Sequence, residues 1–102
     1  MKQQGFNHNI RYQDVLFHVQ TEDYGLELHQ IVTQLFFGGQ IVQKRTMDYK
    51  DLLDLEDFEA SLKARMQKQH KEMLKDLVDG KIAIPENIQN KMSNKSNAES
   101  SS

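Results

Sequence analysis

The sequence predicts a small α+β domain, an antiparallel sheet of about three strands packed by one long C-terminal α-helix. Two apolar runs, LHQIVTQLFF and QIVQKRT, flank Gly38-Gly39. A glycine pair between strands is the signature of a tight hairpin, because its turn needs positive φ at both central positions. VLFHVQT alternates, with Val15, Phe17 and Val19 on one face and Leu16, His18 and Gln20 on the other. Beyond Asp54, apolar side chains recur at three- and four-residue steps, the spacing of one helix face.

In chain order, residues 1–11 are polar, with Phe6 and Ile10 as isolated apolar points, and read as an N-terminal arm or ragged strand. Tyr12–Asp14 reads as a turn into the first clear strand, which EDYGLE ends at Gly25. The glycine pair sets a register for the hairpin. Phe37 faces Gln40, Phe36 faces Ile41, Leu35 faces Val42, Thr33 faces Lys44 and Ile31 faces Thr46. One face then carries Ile31, Leu35, Phe37 and Val42. The other carries Val32, Phe36 and Ile41 between Gln34, Gln43 and Arg45. A sheet with one wet face is apolar on one side, so two apolar sides call for a second cover besides the helix.

The helical stripe runs through Leu55, Phe58, Leu62, Met66, Gln69 or His70, Met73 and Leu77. Asp54 is its expected N-cap, with Asp57 three residues on, and Asp79-Gly80 followed by Pro85 is its stop. That gives roughly 25 residues, close to 40 Å. It would overhang strands of about 25 Å, and the excess would need solvent or another chain. KIAIPENIQ is a short apolar stub suited to docking on a neighbour. The Asn/Ser-rich remainder has nothing to bury. The expected organisation is an N-terminal arm or ragged strand at 1–11, one α+β domain at 12–84 and a disordered tail at 85–102.

Size and composition narrow the function classes. A domain of roughly 80 residues has a limited core, which favours self-association. Without cysteine, disulfides, thiolate metal sites and a cysteine nucleophile are excluded. MKQQGFNHNI lacks the apolar core of a secretory signal. No apolar run approaches the roughly 18 residues that span a bilayer. A cytoplasmic protein without membrane insertion is expected. The net charge of −2, with acids and bases interspersed, lacks the basic excess of a nucleic-acid binder.

The polar motif His18, Gln20, Thr21, Glu22 and Asp23 is the densest candidate site. With His29, its imidazole and carboxylates are of the type that ligates zinc or manganese, but the spacing matches no closed metal motif. Closing backbone groups at a strand end is the commoner use of such residues, and a recognition edge comes next. No metal and no cofactor are expected. Lys44 and Arg45 could contact an anion, yet neighbours on a strand point to opposite faces. They more often serve as edge charges against aggregation. His70 would suit a pH-sensitive interface or a half-buried, hydrogen-bonded position. Met66 and Met73 on the same stripe suit packing or an adaptable surface. An interaction surface is expected from Val32, Phe36, Ile41, Met66, His70 and Met73. No elbow-type serine and no nucleophile–base–orienter set is present, so the chain reads as a non-enzyme.

Across residues 12–80 the chain resembles a family of short, uncharacterised bacterial proteins of delta-proteobacterial type. The resemblance rests on His18–Asp23, Ile31–Thr33, Lys44, Thr46, Tyr49, Gln69 and His70. It implies a bacterial source and a compact domain and carries no activity with it. The expected function is a non-catalytic interaction or adaptor module in bacterial cytoplasmic regulation, a homodimer that also binds another protein. The alternative is a sensor of a small anion or nucleotide built on His18, Glu22, Lys44 and Arg45.

Overall fold

The computed structural model describes residues 4–25 and 27–92. Four strands, β1 (Phe6–Tyr12), β2 (Val15–Asp23), β3 (Gln30–Phe37) and β4 (Gln40–Asp48), form one antiparallel meander in the order β1-β2-β3-β4. A short 3₁₀ turn at Lys50–Leu52 leads to α1 (Phe58–Val78), and α2 (Glu86–Gln89) follows. The α+β architecture is the expected one, with one strand more than the sequence indicated.

The extra strand is β1. It pairs with β2 along its whole length, from Phe6↔Thr21 to Tyr12↔Val15, so of the two readings of this segment the strand holds and the arm does not. Gln13 (φ 51°) and Asp14 (φ 66°) make the two-residue connection, in the left-handed conformation this turn demands. Phe6, His8, Ile10 and Tyr12 share the face that looks at α1. The start of β1 lies close against β2: a Cβ on Gly5 would sit 2.5 Å from the Thr21 carbonyl oxygen.

The hairpin between β3 and β4 turns at Gly38 and Gly39, both with positive φ. Its first two pairs, Phe37↔Gln40 and Phe36↔Ile41, are as expected. The next is not, because Leu35 pairs with Gln43 and leaves Val42 as a β-bulge. Every later pair shifts by one: Thr33 faces Arg45 and Ile31 faces Met47. Arg45 therefore lies on the helix side with Gln43, against the expectation that both flank Phe36 and Ile41. The bulge points Val42 toward the core, where it packs beside Leu35 and Phe37.

α1 lies across β1, β2 and β3 on one face. Its 21 residues span about 31 Å and the nine-residue β2 about 30 Å, so helix and sheet match and no overhang remains. The helix starts at Phe58 behind Asp57, not at Asp54, and Leu55 precedes it on the surface. At the other end, Gly80 N–H donates to the Leu77 carbonyl and Lys81 N–H to that of Asp76, a Schellman closure made possible by φ 75° at Gly80. Between the layers sit Val15, Phe17, Val19 and Leu35 against Met73 and Leu77, and Ile31 against Leu62, Met66 and Tyr49.

The domain continues past residue 84. Ile82 and Ile88 are buried in the same cluster as Val15 and Phe17, and Asn87 donates to the Gln40 side chain at the hairpin. The apolar stub thus docks on its own domain, closing the end of the layer beyond Leu77. Residues 85–92 are part of the fold. The remaining tail, 93–102, falls outside the described residues. Replacing Ile88 by Ala should lower the unfolding free energy by about 2–4 kcal/mol. Urea denaturation of the full chain measures it, and a neutral result would return these residues to a tail.

Candidate functional site

Strand phase divides the HVQTED motif between the two faces of the sheet. His18, Gln20 and Glu22 lie on the face away from α1, whereas Thr21 and Asp23 are buried beneath the helix. Each group has a different task.

On the outer face, Asn9, His18, Phe36 and Ile41 form one cross-strand row. His18 is held from β1: Nδ1 is 2.8 Å from the Asn9 Oδ1 and Nε2 is 3.2 Å from the Asn7 Oδ1. The Phe36 ring lies 6.2 Å from the imidazole. Leu16 stands beside this row, and Leu16, Asn9, His18 and Phe36 line a shallow hollow with Gly38 and Gly39. Leu16 is 48% and Ile41 51% exposed, large values for aliphatic side chains on a strand. Val32, expected to share this surface, is buried at 3%. The next row, Asn7, Gln20, Gln34 and Lys44, is polar. The apolar part of the face is therefore confined to its hairpin end.

Beneath the helix runs a polar seam. Gln69 Nε2 donates to Thr33 Oγ1 (3.1 Å) and reaches the carbonyls of Ile31 and Arg45. Thr33 Oγ1 is 2.6 Å from Thr21 Oγ1, which is 2.8 Å from His70 Nδ1. His70 Nε2 is 2.8 Å from His8 Nδ1 on β1. The rings of Phe6 and His8 lie 5.8 and 4.9 Å from the His70 ring. Burial, and then the charges of His8 and His18, push the His70 pKa down from 6.5 to about 4. His70, Met66 and Met73 were expected at a docking surface. They are core residues, at 3%, 0% and 0% exposure, because the helix turns its whole apolar stripe onto the sheet.

Asp23 closes the strand end. Its Oδ1 accepts from Gly25 N–H (2.8 Å) and from the Tyr49 hydroxyl (2.7 Å), which also lies 3.1 Å from the Gly25 carbonyl. Tyr49 is fully buried. That burial, the bond to Asp23 and the charges of Asp23 and Asp48 push its pKa well above the ordinary value. His29, in the left-handed region at φ 54°, sets its ring edge-on to Tyr49 and leaves Nδ1 buried without a hydrogen-bond partner. Arg65 grips Asp51 through two nitrogens at 2.7 and 2.9 Å, tying the 3₁₀ turn to α1.

The residues weighed for metal or anion binding do not converge. His18 and Glu22 face outward, Asp23 faces the helix, and His29 belongs to the Tyr49 corner. Among the described residues, no group of three or more His, Asp or Glu side chains could hold a metal ion. Lys44 projects on the outer face. Arg45 turns to the helix side, where its guanidinium meets Asp76 at 2.8 Å. Sequence reasoning missed the bonds Thr21–His70, Asp23–Tyr49 and His8–His70, which join positions 49, 26 and 62 apart. No helix among the described residues is long and apolar enough to cross a membrane. The chain matches no family model, no curated protein and no solved structure.

Two substitutions test the buried polar groups. Thr21→Val keeps the shape but leaves His70 Nδ1 without its partner, and should destabilise by about 1–3 kcal/mol in urea denaturation. Tyr49→Phe removes a donor from the buried Asp23 carboxylate and should destabilise by about 2 kcal/mol, lowering the thermal midpoint by roughly 8–16 °C.

Proposed function

We propose that this chain is a non-catalytic interaction module that self-associates through the hairpin end of its uncovered sheet face and acts as an adaptor. The observation that carries the reading is the pair of exposed aliphatic side chains, Leu16 and Ile41, flanking half-buried Phe36 on a face that α1 leaves open. In water, apolar area grouped on one face favours contact with a second apolar surface. The strongly shifted histidine is spent in the sheet–helix layer, which supports a binding role over catalysis. The HVQTED resemblance supports a bacterial source, and the absence of cysteine in the sequence supports a cytoplasmic setting.

The dimensions of the face set the strength of association. Four strands at about 4.8 Å spacing and about 30 Å in length give roughly 600 Å². A standard partner surface is about 800 Å². With polar Gln20, Gln34 and Lys44 across its middle, the face supports a weak, micromolar dimer. Lys44 on the outer β4 edge disfavours strand-to-strand addition there, which favours face-to-face contact. The anion-sensing alternative would use His18, Glu22 and Lys44 without Arg45, which lies on the opposite face.

Sedimentation equilibrium tests the reading. The expected result is a dimer at about 50 μM and a monomer for the double variant Leu16→Glu/Ile41→Glu with an unchanged thermal midpoint. A wild-type monomer at about 200 μM would sink the self-association.

A further inference from the structure

The seam has a single direction in which every proton finds an acceptor. Gln69 can only donate at Nε2, so Thr33 Oγ1 accepts and turns its own proton to Thr21 Oγ1. The Thr21 proton then goes to His70 Nδ1, and His70 Nε2–H donates to His8 Nδ1. The chain ends on an exposed ring at the outer strand of the sheet. In this arrangement both imidazoles are neutral.

One added proton reverses the chain. His8 Nδ1–H donates to His70 Nε2, His70 Nδ1–H donates to Thr21, and Thr21 donates to Thr33, whose own proton no longer has its place in the seam. A second proton leaves two cations with N–H facing N–H across 2.8 Å, where no hydrogen bond can form. We propose that the His8–His70 contact is an acid-sensitive latch, whose protonation releases the first half of β1, residues 6–9, from α1 while the rest of the sheet and the helix stay folded.

The surroundings favour this outcome. The charges acting on His70 are His8 from β1 and His18 from β2, of like sign once protonated. β3 contributes the Thr33 hydroxyl, and the charge nearest the seam on β4, Arg45, is engaged with Asp76 of α1. Ile10 and Tyr12, farther along β1, pack against the main core cluster and remain anchored, and the packing of Phe6 on the second cluster is the apolar contact that release must break. Because β1 is an edge strand, its opening leaves the β2–β3–β4 ladder intact. Opening also withdraws Asn7 and Asn9 from His18. The folded pKa of His70 lies below its unfolded value, so protons favour the open form. The latch is fully closed above pH 6.5 and loses hold as pH falls from there toward about 4. It stands whether or not the outer face self-associates.

Amide hydrogen exchange of the full chain by NMR, corrected for intrinsic rates, tests it between about pH 7.5 and pH 4.5. Protection of residues 6–9 should fall by up to about tenfold per pH unit for each proton taken up, while β2 and β3 amides keep theirs. In His8→Phe and His8→Asn, neither of which can take a proton there, the pH-dependent loss in residues 6–9 should shrink by at least one proton's worth. Flat protection in the wild type overturns the latch. So does loss shared equally by β2 and β3, or the same pH dependence in either variant as in the wild type.

Discussion

A histidine can sit at 3% exposure in a small core only if its ring nitrogens are bonded, and the whole layer is arranged around meeting that demand at His70. Thr21 and Thr33 bring hydroxyls from adjacent strands, in direct cross-strand register, to within 2.6 Å of each other beneath the helix. Gln69, one residue before His70, reaches two strand carbonyls as well as Thr33. The helix therefore cannot slide along or roll over the sheet without breaking several directional bonds at once. Apolar packing on either side of the seam supplies most of the driving force, but Met73 or Leu62 alone would tolerate a shifted helix. The seam specifies one placement.

The same demand reaches β1. His70 Nε2 needs a partner, His8 supplies it, and the strand can lie close enough only because Gly5 has no side chain to meet the Thr21 carbonyl. On the opposite surface Asn7 and Asn9 of the same strand hold His18. A seven-residue edge strand thus serves both faces through alternate side chains. The polar motif of β2 divides in the same way: Thr21 and Asp23 are structural, and His18, Gln20 and Glu22 belong to the open face.

Patterns of local origin were legible in the sequence. Gly38-Gly39, the alternation from Val15 to Val19 and the stripe from Phe58 to Leu77 each express a rule acting over a few residues, and each became the element it announces. β1 was harder to read because its alternation, Phe6, His8, Ile10, Tyr12, includes a histidine among the inward positions, which dilutes a hydrophobic count. The docking of Ile88 followed from the same apolar stub that was legible, but its receptor, the end of the layer beyond Leu77, is set by the fold. The seam was beyond reach for a different reason. Thr21, Thr33 and His70 are individually ordinary, and only the pairing of distant elements makes them one structure. Likewise Leu16 was placed on the outer face by its phase, yet its importance there depends on which face the helix covers.

The bulge at Val42 has a consequence for how β4 can vary. A strand reads its residues by parity, odd positions to one side and even to the other, and one unpaired residue reverses the parity of everything beyond it. Arg45 meets Asp76 and Lys44 meets solvent because Val42 is skipped in the pairing. Deleting that single residue would close the bulge and keep Lys44 and Arg45 on their present sides, whereas pairing it with Leu35 would exchange the two cations between core side and open side. Whether Val42 is skipped or paired, more than the identity of the side chains around it, decides what each surface of this sheet carries.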